Sequence, residues 1–353
     1  MKILFLPNWH INYLNKDDST IQDPDKYVSG EKYWFFKYFP NDTTVDIIDI
    51  KSNNPLHKIE IKTKFYIWQA FLAFFKSRKY DVIISHGAQS AIVLSFLRTI
   101  TFMQTPKHII FDIGGMNGAK AKGFSTKLIS FAMKSSPYII CHSKIILSNL
   151  RNIYPNLLPK ALFIPFGVDV DYFKPHIIER KSNYVFSFGY SKRDYETLIN
   201  AWKQIDTTCQ LRIAGINSIQ ATEKIPNIDL IGKISISQLK EEIQDSLFVV
   251  IPLPKYNYSY GQMSFLQSMS LGKTVIVSSV PSSIDYIKDN EGAFLVEPYN
   301  VEDLKNKIEM LLSNPKLVEK SDLKARKFIL DHFNQLNMGI QIRDFVTTIV
   351  NNS

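Results

Sequence analysis

Ser259-Tyr-Gly-Gln-Met-Ser-Phe-Leu-Gln-Ser-Met-Ser-Leu-Gly-Lys273, followed by Thr274-Val-Ile-Val277, is the stretch whose reading decides the fold. Gly261 lets backbone N–H groups come close to an anion, and from Met263 to Leu271 the spacing predicts an amphipathic helix whose positive end faces that loop. Gly272 ends the helix, and the β-branched run after it predicts a strand. A loop that opens a helix beside an apolar strand is where open α/β sheets hold phosphorylated ligands.

Outward from this stretch, strand-like and helix-like segments alternate. Tyr184–Gly189, Leu211–Gly215, Ile228–Gly232 and Leu247–Pro252 read as strands on its N-terminal side. The first half repeats the alternation: Met1–Leu6, Val45–Ile50, Tyr80–His86, His108–Asp112 and Tyr138–Cys141. Such alternation predicts an α/β fold with two parallel-sheet domains, and 353 residues suit two domains better than one core. The Pro- and Gly-bearing segment Leu162–Pro175 has the composition of a boundary. The expected division is 1–165, 166–330 and a helical tail, 331–353. Asn8 to Tyr27 reads as irregular, Tyr33–Phe39 as a helix-like aromatic run, and Ala325–Val350 as helical throughout.

Cys141 and Cys209 are single thiols in different halves, which argues against a disulfide framework and for a reducing compartment. The apolar start of the chain stops at Pro7, too early for a signal-peptide core, and no run of about eighteen apolar residues exists. Net charge is +9, and residues 1–175 hold the whole excess with 22 Lys/Arg against 13 Asp/Glu. Within them, Lys58, Lys62 and Lys64 precede Phe65-Tyr-Ile-Trp-Gln-Ala-Phe-Leu-Ala-Phe-Phe75, and Lys76, Arg78 and Lys79 follow it. Aromatic residues too many for one helical stripe, with cations on both flanks, suit an anionic membrane surface; a helix buried on several sides is the other reading.

The opening stretch resembles the signature of retaining GT-B glycosyltransferases of family GT4, in which a Glu, seven residues and a second Glu precede Ala-Met-Ala-x-Gly-Lys-Pro-Val. Here Ser259 and Gln267 stand at the two acidic positions, and Ser268-Met269-Ser270-Leu271-Gly272-Lys273-Thr274-Val275 matches the remainder. Pro165-Phe-Gly-Val-Asp169 and Phe173-Lys-Pro175 are similar to the family's interdomain segment. Gly189-Tyr-Ser-Lys192-Arg193-Asp194-Tyr195 is similar to its Gly-Arg-x-x-Arg-Asp-Tyr element, with Tyr190 in place of the first Arg. Ser29-Gly30-Glu31 resembles a reduced form of the Gly-Gly-x-Glu element that follows the first strand.

The resemblance implies a GT-B fold, two Rossmann-like domains facing a central cleft, and metal-independent transfer from a nucleotide-diphosphate sugar with retention. Implied donor-binding groups are Gly189, Lys192, Arg193, Lys233, Ile234, Ser259, Tyr260, Gly261, Gln262, Met263 and Gln267, with the backbone at Lys233-Ile234 meeting the base. Cations and N–H groups at the departing diphosphate stabilise its charge without a metal. On the acceptor side, Gly30 and Glu31 form the loop, and His86 and Asp112 end strands where acceptor groups sit, so Asp112 is the candidate to take a hydroxyl proton. A turn-capping Asp and a solvated helix face are the ordinary readings of Asp112 and Gln267.

No cofactor is expected besides the sugar donor as substrate. The basic first half suits a glycan or lipid-linked acceptor and a peripheral place at the cytoplasmic face of a membrane. No nucleic-acid recognition module is visible, and no Gly-x-Gly-x-x-Gly follows the first strand as a dinucleotide enzyme requires. A non-catalytic sugar- or nucleotide-binding subunit on the same fold is the rival reading, raised by the two missing acids.

Overall fold

The computed structural model describes residues 1–18, 20–50, 54–116, 123–176, 182–190, 192–215, 226–256 and 260–352. It divides into two compact units: Met1–Pro165 with Leu336–Ser353, and Phe166–Tyr256 with Tyr260–Gln335.

The first unit is built on a six-stranded parallel sheet of β1 (Lys2–Leu6), β4 (Thr44–Ile47), β5 (Val82–His86), β6 (Lys107–Asp112), β7 (Tyr138–Cys141) and β8 (Ala161–Phe163), in the order β4-β1-β5-β6-β7-β8. Its central strands are apolar without alternation because both faces are covered: Ile3, Leu4, Phe5, Leu6, Val82, Ile83 and Ile84 are wholly buried. Between β1 and β4, where the sequence reads as irregular, β2 (Asn12–Leu14) and β3 (Lys26–Val28) form a small parallel pair. The aromatic run after them is a 3-10 turn, Trp34–Tyr38, with Trp34, Phe35 and Phe36 buried.

Helices α1 (His57–Thr63), α2 (Ile67–Lys76), α3 (Ala88–Ile100), α4 (Phe124–Ala132) and α5 (Lys144–Ile153) connect these strands. The long basic and aromatic segment is therefore two helices. Lys64, in the left-handed region at φ 59°, ends the first of them.

In the second unit, β9 (Tyr184–Phe188), β10 (Gln210–Ala214), β11 (Ile228–Ile231), β12 (Val249–Ile251), β13 (Val275–Ser278) and β14 (Ala293–Val296) are parallel in the order β11-β10-β9-β12-β13-β14. The helices are α6 (Tyr195–Trp202), α7 (Ile236–Asp245), α8 (Gln262–Ser270), α9 (Pro281–Ile284), α10 (Val301–Leu312) and α11 (Pro315–His332). Asn300 caps α10 by accepting from Asp303 N at 3.0 Å, and Asn314 caps α11 by accepting from Leu317 N. The helical tail is broken at Phe333-Asn334, after which α12 (Gln335–Asn351) begins; in the first unit Gly339 lets it lie against Tyr38, whose ring a Cβ would meet at 2.1 Å.

The amphipathic helix expected from Met263 to Leu271 is not what forms there. α8 is not amphipathic: every residue in it except Met263 is buried. Its polar side chains are satisfied internally, Ser268 Oγ donating to Ser264 O at 2.8 Å and Ser270 Oγ to Phe173 O at 2.9 Å. A helix whose Ser and Gln side chains find protein partners can be central while reading as half polar. The motif's Lys273 is likewise structural: nearly wholly buried, it donates to Ser246 O at 2.7 Å, while Asp322 holds Thr274 through backbone and hydroxyl.

Candidate functional site

In the second unit the strand order reverses between β9 and β12, so the crevice at their carboxyl ends is the switch point where open α/β sheets take ligands. Two segments leave it. One runs from Gly189 to Asp194 after β9; the other follows β12 and reaches Gly261, the residue that opens α8. They are tied where Asp194 N donates to Pro252 O at 3.0 Å, and Asp194 also caps α6 by accepting from Thr197 N.

Gly189 has φ +141°, and a Cβ there would lie 2.5 Å from Arg193 Nε. The bare Cα lets Arg193 fold back over it. Its Nε donates to Phe188 O at 3.1 Å, Nη1 to Lys192 O at 3.2 Å and Nη2 to Ser264 Oγ at 2.7 Å. Ser264 lies in the first turn of α8, so a guanidinium is fixed beside the positive end of a buried helix. Burial lowers the Arg193 pKa, from a value so high that the charge persists. Gly261, at φ +81°, places the helix start against Leu253, whose Cδ2 a Cβ would meet at 2.8 Å. Lys192 is exposed, with Nζ 5.7 Å from the centre of the Tyr256 ring, and Tyr256 meets Tyr260 edge-on at 5.4 Å.

The structure therefore brings Gly189, Lys192, Arg193, Tyr260, Gly261, Gln262 and Met263 to one loop cluster. Ser259 lies outside the described residues. Gln267 follows Ser264 by three positions, on the same side of α8, and is only 4% exposed, so it is not on a solvated helix face. Lys233 is exposed; Ile234 is engaged in a way the sequence did not reveal. The Tyr190 hydroxyl donates to Ile234 O at 3.2 Å and accepts from Ile234 N at 3.2 Å. The residue standing for the family's first Arg thus occupies the backbone groups expected to meet a base.

In the first unit the corresponding place is the carboxyl end of β1 and β5, and His86 ends β5 there. Its ring stacks on Phe111 at 5.4 Å and meets Trp9 at 4.7 Å and Trp34 at 5.8 Å. Nδ1 donates to Asn8 Oδ1 at 3.0 Å, which leaves the Nε2 lone pair as an acceptor with no partner among the described residues. Burial, and then the charge of His142, push the His86 pKa down to about 3, so the ring is neutral near pH 7. It can accept a hydrogen bond but does not carry an acidic proton. Trp34 was read in the sequence only as part of an aromatic run, and Trp9 went unnoticed; a residue just past β1 at the switch point was the available signal for Trp9.

Asp112 ends β6 and is fully buried. Its Oδ1 accepts from Gly114 N at 2.8 Å and Met116 N at 3.4 Å, so the turn-capping role is present. Oδ2 has no partner among the described residues. Burial raises its pKa, and Asp112's charge joins burial in pushing the Tyr154 hydroxyl up to about 12. His86 and Asp112 do not form a pair: His86 registers with Phe111, and alternation turns Asp112 to the other face of the sheet. His142 is structural, its Nδ1 donating to Ile164 O at 2.7 Å. Gly30, at φ +85° with open space around it, forms a tight turn closed by Glu31 N to Val28 O at 3.1 Å, and Glu31 is exposed. No helix among the described residues is long and apolar enough to cross a membrane.

Comparison with known proteins follows the same division. Residues 171–328 match the model of the family glycosyl transferases group 1. The uncharacterized glycosyltransferase MJ1178 of Methanocaldococcus jannaschii is 26% identical over 196 residues, which make up 53% of this chain and 53% of that protein; the match thus spans about half the length of this relative. Among solved structures, sucrose-phosphate synthase from Thermosynechococcus elongatus superposes with a TM-score of 0.72 at 15% identity, covering 100% of both chains. Anabaena HepE in complex with UDP-glucose gives 0.67 at 14% identity over 99% of this chain and 100% of that one. The chain has the GT-B fold, and its residues 171–328 are similar to the family glycosyl transferases group 1.

Proposed function

We propose that the protein transfers a sugar, with retention and without a metal, from a nucleotide-diphosphate donor to a glycan or lipid-linked acceptor at the cytoplasmic face of a membrane. The observation that carries this is Arg193, folded over Gly189 and bonded to Ser264 in the first turn of α8. Leaving-group departure puts negative charge on the diphosphate. A fixed guanidinium, Lys192 and the N–H groups at the start of α8 oppose that charge with little reorganisation. HepE, a neighbour in fold, binds UDP-glucose, which supports a nucleotide-sugar donor here. On the acceptor side, the neutral His86 Nε2 accepts a hydrogen bond from a sugar hydroxyl; the buried Asp112 Oδ2, on the other face of the sheet, is a separate candidate to take a proton.

A second reading, a nucleotide-binding subunit without transfer, is favoured by Ser259 and Gln267 at the positions where the resembled family carries acids. Incubating the purified protein with a panel of nucleotide sugars and membrane glycolipid extract, with and without EDTA, separates the two. Sugar incorporation that persists in EDTA, with an unchanged anomeric configuration by NMR, is expected. Nucleotide binding without transfer or donor hydrolysis would select the second reading.

A further inference from the structure

We propose that the surface shared by the end of α2, the approach to β5 and the turn after α3 is a docking face for an anionic lipid bilayer. The proposal rests on the reading of a membrane-borne acceptor and gives that reading a place on the first unit. α2 buries Gln69, Ala70 and Ala73, half-buries Trp68, Phe71 and Phe74, the last of them against the core, and leaves Phe75 outward. Phe75, at its end, is 75% exposed, and Phe102, just past α3, is 87% exposed. Phe102 sits at φ 54°, a conformation unfavourable to any residue but glycine, and it holds a large apolar ring in solvent. Phe74, Phe75, Phe102 and Met103 line one open concavity of about 1020 Å³ together with Arg78 and Lys107.

Charge decides the occupant. Arg78 and Lys107 share the concavity with the exposed rings, Lys76 and Lys79 follow Phe75 closely in sequence, and none of the four makes an ion pair among the described residues. Asp81, the acid in the same concavity, accepts from Lys2 N at 2.7 Å. Protruding apolar rings rimmed by unpaired cations match a bilayer with acyl chains beneath anionic headgroups. The sequence placed membrane contact on residues 58–79; the structure moves it to the end of that segment and adds Phe102.

The face lies at the amino ends of β5 and β6, whereas His86 and Asp112 lie at their carboxyl ends. A five-residue strand spans roughly 17 Å. The acceptor's reacting group therefore stands well clear of the bilayer, as it does in a lipid carrying several sugars.

Co-flotation with phosphatidylcholine vesicles, with and without phosphatidylglycerol, tests the proposal, and nucleoside-diphosphate binding is measured on the same samples. Binding to the anionic vesicles alone is expected, weakening as salt rises. Phe75→Ser/Phe102→Ser and Arg78→Gln/Lys107→Gln should each lower it about tenfold, with nucleotide binding unchanged. Equal flotation on neutral vesicles, or wild-type flotation of the Phe75→Ser/Phe102→Ser protein, overturns the docking face. Loss of a dimer in that variant, with no vesicle binding by the wild type, assigns the face to a second copy and also overturns it. Vesicle binding as expected from a protein that binds no nucleotide keeps the docking face and removes the transfer reading.

Discussion

The two units share a parallel sheet with a switch point, yet they hold different chemistry there. The second unit places a cation beside a helix start, using glycines at φ +141° and +81°. The first encloses a neutral imidazole among Trp9, Trp34 and Phe111. Lys/Arg and Asp/Glu balance at 20 each in residues 176–353, whereas the earlier half carries the entire net charge. A phosphate is recognised by backbone N–H groups and fixed cations, which short contiguous segments supply. A sugar hydroxyl is recognised by side chains gathered from separate loops.

The sharpest test of the contrast is acid. His86 and His142 have pKa values pushed down to about 3 and about 4, and that of His108 is also well below the usual imidazole range; burial is the leading cause in all three, and all lie in the first unit. Unfolded, each binds a proton near pH 6.5, so the unfolded state gains protons that the native state does not. Stability is fully present above pH 6.5 and is lost as pH falls toward 4, by about 1.4 kcal/mol per pH unit for each titrating group. Asp112, whose pKa is raised, works in the opposite sense with one proton. Pulsed hydrogen exchange between pH 7 and 4 should show β5, β6 and β7 losing protection before β9 and β12. Simultaneous loss, or loss in the second unit first, breaks the comparison.

Gly189→Ala probes the second unit without removing a charge. The added Cβ would meet the Arg193 guanidinium at 2.5 Å, so the guanidinium must leave Ser264 or the loop must shift. Diphosphate affinity should fall by roughly 2 kcal/mol or more while Tm changes less than for a core cavity. An unchanged diphosphate affinity would show that the position of Arg193 does not matter.

The smallest effect expected is that of Tyr190→Phe. Removing the hydroxyl frees both backbone groups of Ile234. Nucleosides should then bind several-fold tighter, about 1 kcal/mol, and their dependence on the phosphates should stay as it was. Weaker nucleoside binding would mean that the hydroxyl itself meets the base.

How much could be read in advance follows from the same contrast. The strand-helix alternation and the elements from Gly189 to Tyr195 and from Gly261 to Val275 were legible because the glycines, cations and β-branched runs are contiguous. That α8 is buried all round was not, because hydrogen bonds such as Ser270 to Phe173 join residues 97 positions apart. His86 and Asp112 each read correctly as strand ends. Their separation to opposite faces depends on register, which no local pattern carries. The setting of His86 escaped for a similar reason, since Asn8 lies 78 positions away.

The central claim is that Arg193 and the start of α8 form a diphosphate site in the second unit. Calorimetric titration of nucleoside diphosphates and their parent nucleosides into wild type, Arg193→Lys and Arg193→Ala tests it most directly. At least one diphosphate should bind wild type tenfold or more tighter than its nucleoside, a difference of about 1.4 kcal/mol. Arg193→Ala should erase that margin and Arg193→Lys should keep part of it, with nucleoside affinity the same in all three. A wild-type protein that binds diphosphate and nucleoside equally, or an Arg193→Ala protein that keeps the full margin, would contradict the account.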